Sequence, residues 1–179
     1  SALALLLLFP LLLICAIAIK VSDGGPVFYR QTRLTRDGKQ FDVLKFRSMI
    51  PNAESDGIAV LAAEHDSRIT PVGRILRRFR LDELPQLINI LCGDMSVVGP
   101  RPLPTYETDE FPDIAHRRRL SVKPGLTCYW QIEDRSDSEE SYRNMITKDL
   151  RYIDNWSLWT DIKLILRTIP AVLMSKGAK

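Results

Sequence analysis

Residues 70–91 read TPVGRILRRFRLDELPQLINIL, and this stretch decides much of the fold. Thr70 followed by Pro71 is a typical helix start, because threonine caps a helix and proline suits its first position. Apolar side chains then recur at helical spacing, and arginines fill most of the remaining positions. The apolar residues are Val72, Ile75, Leu76 and Phe79, and the arginines are Arg74, Arg77, Arg78 and Arg80. This pattern predicts a basic amphipathic helix, which lies either on a membrane or anionic partner or on the protein's own core with a solvated basic face.

Two adjacent acids, Asp82 and Glu83, follow the arginines. Neighbouring residues do not share a helix face, so the two carboxylates diverge. A second helix is predicted to begin here, with Asp82 as its N-cap and Pro85 in the tolerated first turn. Its apolar stripe and its C-terminal glycine are Leu84, Leu87, Ile88, Leu91 and Gly93. On the residues alone, two interpretations stay open: the acids stabilise a helix start, or they carry chemistry.

The segment before this stretch is predicted to form a β-hairpin. Residues 26–49 read PVFYRQTRLTRDGKQFDVLKFRSM, and two β-prone runs flank Asp37-Gly38, a strong turn signal. Alternate residues of the second strand share one face, which ends in two cations. These residues are Phe41, Val43, Lys45 and Arg47. The cations mark either a place for an anion or a solvated strand end.

The N-terminus is the most apolar part of the chain. Residues 2–19 read ALALLLLFPLLLICAIAI and carry no polar side chain, so a helix of this length can nearly cross a hydrocarbon core of roughly 30 Å. Pro10 interrupts the run, which leaves open a kinked spanning helix, a re-entrant hairpin or a buried core helix. A secretory signal is disfavoured because no basic region precedes the run. The breakers of residues 22–26, SDGGP, end the segment.

The C-terminal half contains further turn, strand and helix signals. Residues 93–102, GDMSVVGPRP, predict a turn, a short strand and a rigid loop in which prolines on both sides aim Arg101. Residues 138–150 have a helical pattern. A last helix carries a long apolar face beside two tryptophans, which suits a membrane interface. These residues are Trp156, Leu158, Trp159, Ile162, Ile165, Leu166 and Ile169.

Composition bounds the remaining possibilities. A chain of 179 residues with a net charge of +3 is long enough for one domain and too weakly basic to indicate a nucleic-acid-binding module, of which no motif is present. Its three cysteines, Cys15, Cys92 and Cys128, form no metal-binding or disulfide pattern. They are predicted to be reduced, buried thiols of a cytosolic compartment.

Taken together, the segments resemble the bacterial sugar transferase family, the monotopic phosphoglycosyl transferases. The matching pieces are GGPVFYRQTRL, FDVLKFRSM, TPVGRILRRFRLDELPQLINILCGDMSVVGPRP, KPGLTCYWQI, DLRYIDNWSLWTDIKLILRTI and the terminal KGA, in the family's order. The most specific are LDELPQL and GDMSVVGPRP. The resemblance implies transfer of a sugar 1-phosphate from a nucleoside diphosphate sugar, with a UDP-sugar expected, to polyprenol (undecaprenyl) phosphate. That reaction is the first membrane step of exopolysaccharide, capsule, O-antigen or glycoprotein glycan synthesis.

The resemblance also implies an architecture. It is a mainly helical α+β fold with a small active-site β-hairpin and interfacial amphipathic helices. Residues 1–20 would form a re-entrant membrane helix, and residues 21–179 a catalytic domain on the cytoplasmic face of the bacterial inner membrane. The implied partners are the donor, the polyprenol phosphate acceptor and membrane lipids, without nucleic acid. Homo-oligomerisation stays open.

By the same resemblance, Asp82 is the nucleophile and Glu83 helps it to hold the cofactor Mg²⁺. Contacts to substrate phosphate are implied for Lys45, Arg77 and Arg101, and further ones for Arg47 and Arg135. Asp149 is expected to support the site by orienting a cation. The competing hypothesis is a membrane-anchored protein that binds anionic lipid without chemistry, and it gives the adjacent acids no joint role.

Overall fold

A computed structural model describes residues 1–51, 53, 66–105, 114–133 and 139–173 of the chain. Within these residues the protein is mainly helical with two small sheets, which confirms the predicted α+β class. The helices are α1 (Ala2–Asp23), α2 (Pro71–Arg78), α3 (Gln86–Cys92), α4 (Ile114–Arg119), α5 (Tyr129–Glu133), α6 (Glu139–Asp154) and α7 (Leu158–Leu173). The strands are β1 (Phe28–Leu34), β2 (Gln40–Phe46), β3 (Ser96–Val98) and β4 (Gly125–Thr127).

The apolar N-terminal run forms one helix, α1, with Pro10 inside it. It is long and apolar enough to cross a membrane, and it ends at Asp23 with Gly24 as its left-handed C-cap. From Leu11 onward α1 packs on the cluster that contains Phe46 and Leu76, and its Cys15 and Ile19 are buried there. Large apolar side chains on the opposite face and toward the N-terminus are exposed, among them Leu6, Leu7, Phe9 and Val21.

The predicted β-hairpin is confirmed. Strands β1 and β2 are antiparallel, with Phe28 opposite Phe46 and Leu34 opposite Gln40. The turn lies at Asp37-Gly38 as predicted, and Asp37 takes a left-handed conformation with φ of 62°. Asp is one of the few non-glycine residues that tolerate this conformation, which is why Asp-Gly marks the turn.

Helix α2 begins as the sequence predicts. The Thr70 side chain accepts a hydrogen bond from the Gly73 backbone N–H, and Pro71 occupies the first helical position. A side chain at Gly73 would place its Cβ 1.9 Å from the carbonyl oxygen of Ser48, so only glycine lets α2 lie against the chain that follows β2. Leu76 is buried, whereas Ile75 and Phe79 are exposed, so half of the predicted apolar stripe faces away from the core.

The predicted N-cap at Asp82 is wrong. Asp82 and Glu83 lie in a 3₁₀ turn, Leu81–Glu83, and α3 begins three residues later with Pro85 at its N-cap position. Pro85 has no backbone N–H and fixes its own φ, so the regular α-helix starts after it. The interpretation that the two acids stabilise the start of a regular α-helix therefore does not apply to α3. The predicted end is confirmed, because Gly93 is the left-handed C-cap of α3.

Strands β3 and β4 form a second, parallel pair, with Ser96 opposite Gly125 and Val98 opposite Thr127. Helices α6 and α7 confirm the two C-terminal helices. The tryptophans and the apolar face predicted for α7 are exposed, while Leu164 of the same helix is buried against Tyr152 and Val98. All three cysteines are free, but the prediction that all are buried is wrong for Cys92, which is exposed.

Candidate active site

The adjacent carboxylates occupy different environments. Glu83 is buried, and its Oε1 lies 3.3 Å from Nζ of Lys45 at the end of β2. Asp82 is only half-buried. The divergence predicted for neighbouring residues thus separates a buried acid paired with a lysine from an acid that solvent and ligands can reach.

The charges of four side chains act on the ammonium of Lys45. Burial lowers the pKa of Lys45, and the nearby guanidinium groups of Arg101 and Arg33 lower this pKa further. The carboxylates of Glu83 and Asp82 act in the opposite direction and raise the pKa of Lys45. The hairpin, the 3₁₀ turn and the loop after β3 therefore bring Lys45, Asp82, Glu83 and Arg101 into one charged cluster.

Asn89 of α3 binds the backbone of β2, the strand that carries Lys45. Its Oδ1 accepts a hydrogen bond from the Leu44 backbone N–H at 2.9 Å, and its Nδ2 donates to the Asp42 carbonyl at 2.8 Å. One amide side chain thus pairs with the free edge of β2 as a third strand would. Because Lys45 follows Leu44, this contact fixes the strand that carries the lysine against the helix that follows the acids.

Arg80 sets the direction of the turn that carries the acids. It adopts a left-handed conformation with φ of 54° and ψ of 25°, which is uncommon and costly for a residue with a side chain. Its guanidinium donates long hydrogen bonds of 3.4 and 3.5 Å to the carbonyl of Gln131. A strained residue two positions before Asp82 is typical of functional sites.

The loop of residues 100–103, PRPL, is fixed through its carbonyl groups. Each of the four consecutive carbonyls accepts a hydrogen bond, and the donors come from three parts of the protein: β4, α4 and the end of β1. The donors, in order of the carbonyls from residue 100 to residue 103, are the Gly125 N–H, the Arg119 side chain, the Arg33 side chain and the Leu34 N–H. The predicted rigidity of the loop therefore rests on these contacts as well as on its prolines.

Asp149 lies behind the loop and is almost completely buried. Its Oδ2 accepts hydrogen bonds from Arg119 at 2.9 Å from Nε and 2.6 Å from Nη2. Burial raises the pKa of Asp149, while the guanidinium of Arg119 and the backbone and charge of Arg101 lower it. The same buried surroundings, together with the charge of Asp149, raise the pKa of the Cys128 thiol to about 12.

The other predicted site residues have different places. Arg77 is half-buried and its Nε donates to the Ser48 hydroxyl at 2.8 Å, so it does not lie on a solvated face. Arg47 is buried and binds Asp23 and the Pro26 carbonyl, which ties the end of α1 to the hairpin. Its contact with substrate phosphate stays a prediction. Arg135 lies outside the described residues.

The two carboxylates of the cluster fit a Mg²⁺ ion that is shared with the donor substrate. No group of three or more His, Cys, Asp or Glu side chains that could hold a metal occurs within the described parts of the chain. Asp82 and Glu83 nevertheless supply two carboxylates of the hard oxygen type that magnesium prefers. Mg²⁺ commonly takes one or two carboxylates and completes its ligands with substrate phosphates and water, so the pair fits a metal shared with the donor.

Sequence reasoning missed Asn89, Arg80 and Arg119. Asn89 stands between isoleucines in a helix predicted from its apolar stripe, and a polar residue in that position indicates a buried hydrogen-bonded contact. Arg119 ends a run of three arginines, and nothing in the run distinguishes the buried one from its exposed neighbours. The left-handed conformation of Arg80 has no signal in the sequence.

Comparison with known proteins identifies the family of the chain. The model of the bacterial sugar transferase family matches residues 1–175. The exopolysaccharide production protein ExoY of Rhizobium meliloti is 42% identical, over 99% of this chain and 84% of its own length. A UDP-glucose:undecaprenyl-phosphate glucose-1-phosphate transferase of Caulobacter vibrioides is 44% identical, over 99% of this chain and 68% of its own. An undecaprenyl-phosphate galactose phosphotransferase of Salmonella typhimurium is 42% identical, over 87% and 35%. The chain therefore belongs to the bacterial sugar transferase family.

Proposed function

We propose that this protein transfers a sugar 1-phosphate from a UDP-sugar to undecaprenyl phosphate, with Asp82 as the nucleophile. The observation that carries the proposal is the pair of unlike acids: Asp82 is reachable, whereas Glu83 is buried against Lys45. The names of the relatives support the donor and the acceptor. They name glucose and galactose, so these two UDP-sugars are the donors to test first.

The reaction has two balanced steps. A carboxylate oxygen of Asp82 attacks the β-phosphorus of the donor, the bond from that phosphorus to the bridging oxygen breaks, and UMP leaves with the electron pair. An oxygen of undecaprenyl phosphate then attacks the same phosphorus, and the bond to Asp82 breaks. The product is an undecaprenyl diphosphate sugar, and the aspartate is regenerated.

Cations make an attack by a carboxylate on a diphosphate possible. Lys45, Arg101 and Arg77 are proposed to bind donor phosphate oxygens. The first two lie in the charged cluster with Asp82, and Arg77 binds Ser48, three residues beyond Lys45. Asp82 and Glu83 would hold Mg²⁺, which when bound stabilises the charge of the phosphates and of the departing UMP. The ammonium of Lys45 lies 3.3 Å from Oε1 of Glu83 and holds this carboxylate in place beside Asp82.

The proposed location is the cytoplasmic face of the bacterial inner membrane. The acceptor is a membrane lipid, and the apolar outer face of α1 and the exposed face of α7 are suited to lipid. Exposed Arg74 and Arg78 on α2 are suited to anionic headgroups. The same features support the competing hypothesis of a lipid-binding protein without chemistry, so the test has to detect a reaction.

The first prediction is a covalent intermediate on Asp82. Wild-type protein given UDP-glucose or UDP-galactose and Mg²⁺, without acceptor, is expected to release about one equivalent of UMP and to gain the mass of the sugar phosphate on Asp82. Asp82→Asn is expected to lose at least about a thousandfold in turnover, since the nucleophile is gone. Glu83→Gln should be crippled through metal binding and partly recovered by extra Mg²⁺. UMP release and intact-protein mass spectrometry with peptide mapping measure these changes.

The control for Asp82→Asn is Asp37→Asn, which changes an exposed carboxylate in the hairpin turn and should leave turnover unchanged. An active, folded Asp82→Asn protein, together with an unmodified Asp82 in the wild type, would contradict the nucleophile assignment. Absence of UMP release from both donors would leave the lipid-binding hypothesis.

A further inference from the structure

The ion pair of Arg119 and Asp149 is the most deeply buried one among the described residues. The side chains are 5% and 1% exposed, and Nη2 and Oδ2 are 2.6 Å apart. Removing two charges from water is costly, and apolar residues of similar size often give equal or greater stability. A stabilising role alone is therefore a weak explanation of this pair.

Arg119 makes a third contact that points toward the active site. Its Nη2 also donates to the carbonyl of Arg101 at 3.0 Å. Prolines on both sides of Arg101 leave that stretch few backbone N–H groups, so its position depends on what binds its carbonyls. Arg119 thus connects a buried carboxylate on α6 to the backbone of the residue whose side chain enters the charged cluster.

The guanidinium of Arg101 is held from another side as well. It lies over the ring of buried Trp130 at 5.2 Å from the centroid, and its charge acts on Lys45. The backbone contact with Arg119 and the ring contact with Trp130 together fix the side chain. Misplacement of a phosphate-binding group by 1 Å can cost about a hundredfold in rate.

We infer that Arg119 and Asp149 form a positioning pair that holds Arg101 where it binds the diphosphate of the donor substrate. The inference rests on the proposed function, since it assigns Arg101 a donor phosphate. Neither member of the pair touches substrate. Asp149 fixes Arg119, and Arg119 fixes the Arg101 carbonyl.

A double replacement separates positioning from stability. Arg119→Met with Asp149→Leu replaces the buried pair by apolar side chains, so thermal unfolding should stay near that of the wild type. The value of kcat/KM for UMP release is expected to fall about 10–100-fold. In an Arg101→Ala background the same replacement is expected to change kcat/KM less than twofold, because the residue that it positions is already gone.

The matched control lies on the same two helices. Arg118 of α4 and Asp154 of α6 form an exposed ion pair, and among the described residues neither side chain has a hydrogen bond to the loop of residues 100–103. Arg118→Met with Asp154→Leu is therefore expected to leave kcat/KM unchanged. Arg119→Lys serves as the second variant: it keeps a cation beside Asp149 but lacks the fork that also reaches the Arg101 carbonyl. Arg119→Lys should fold. Its kcat/KM for UMP release should also fall in the presence of Arg101 and change little in the Arg101→Ala background.

Two results would overturn the positioning role. One is full activity per folded molecule in both Arg119 variants. The other is an equal loss with and without Arg101, which would show that the pair acts on the fold as a whole. Failure of the proposed function is recognised separately, because the wild type itself would then release no UMP.

Discussion

The ammonium of Lys45 lies among two carboxylates and two guanidinium groups, so its charge depends on all four. Burial is the largest effect and lowers the pKa of Lys45 below its ordinary value of 10.5. Between the folded pKa and that ordinary value, the unfolded chain binds more protons at this group. The contribution of Lys45 to stability therefore rises with pH in that window, while its positive charge is lost.

The lowered pKa of Lys45 leads to a prediction about the alkaline limit of activity. We expect kcat/KM for UMP release to fall with rising pH at a pKa below 10.5, because neutral Lys45 neither binds phosphate nor pairs with Glu83. Lys45→Arg keeps a charge over the whole range, so its limit should move to higher pH even though its activity at neutral pH is lower. Lys39→Arg, an exposed change in the hairpin turn, should keep the wild-type profile.

Profiles of kcat/KM against pH for the three proteins measure this limit, with thermal unfolding at each pH as the companion measurement. Stability maintained where activity declines would agree with titration of Lys45. The same alkaline limit in the wild type and in Lys45→Arg would exclude this lysine as the titrating group.

At the scale of elements, a two-stranded sheet must have its free edges covered. Strand β2 carries Lys45, and its outer edge pairs with the amide of Asn89 instead of with a third strand. Helix α2 approaches the chain after β2 through Gly73. Contacts with α2 and α3 thus fix the hairpin in place, and this fixes the position of Lys45 in the candidate active site.

Asn89→Leu is predicted to destabilise the protein by about 2 kcal/mol, because two backbone groups of β2 lose their partners. Activity should fall as well, since Lys45 and Glu83 are no longer held in register. Asn155→Leu is the control: the side chain of this exposed asparagine donates to the Arg151 carbonyl near the end of α6, and its loss should change stability by less than about 0.5 kcal/mol. Denaturant unfolding in detergent measures both. If Asn89→Leu and Asn155→Leu lowered the free energy of unfolding by equally small amounts, the Asn89 contact would be dispensable.

Local sequence signals predicted most helices, strands and turns. The features that they did not predict depend on contacts between residues far apart in the sequence. Thr70, Asp37 and Gly93 each act through neighbouring backbone, so the helix start, the hairpin turn and the helix end were readable from sequence. Asp82 was not, because Pro85 delays the regular helix. The partners of Arg119 are 30 and 18 residues away in sequence, and no local rule pairs residues over such separations.

At the scale of the whole molecule, the depth of α1 in a membrane is limited by what packs against it. Leu11 and Leu12 pack against the cluster that contains Phe46 and Leu76. Leu11 lies nine residues before Lys20, roughly 13 Å along the helix. A helix crossing a hydrocarbon core of roughly 30 Å would bring this cluster, and the arginines of α2 with it, toward the bilayer centre, where charge is costly.

The last prediction follows from that limit: α1 enters the membrane and its N-terminal end returns toward the cytoplasmic face. Single cysteines at Ser1 and Val21, in a variant without the three native cysteines, should both resist a membrane-impermeable maleimide added to intact cells. A cysteine at Lys39, in the exposed hairpin turn, gives the cytoplasmic reference and should be labelled only after the membrane is permeabilised. The Val21 cysteine should follow it, because Lys20 and Arg30 favour the cytoplasmic side. Labelling at Ser1 in intact cells, with Val21 and Lys39 protected, would establish a spanning helix and exclude the re-entrant topology.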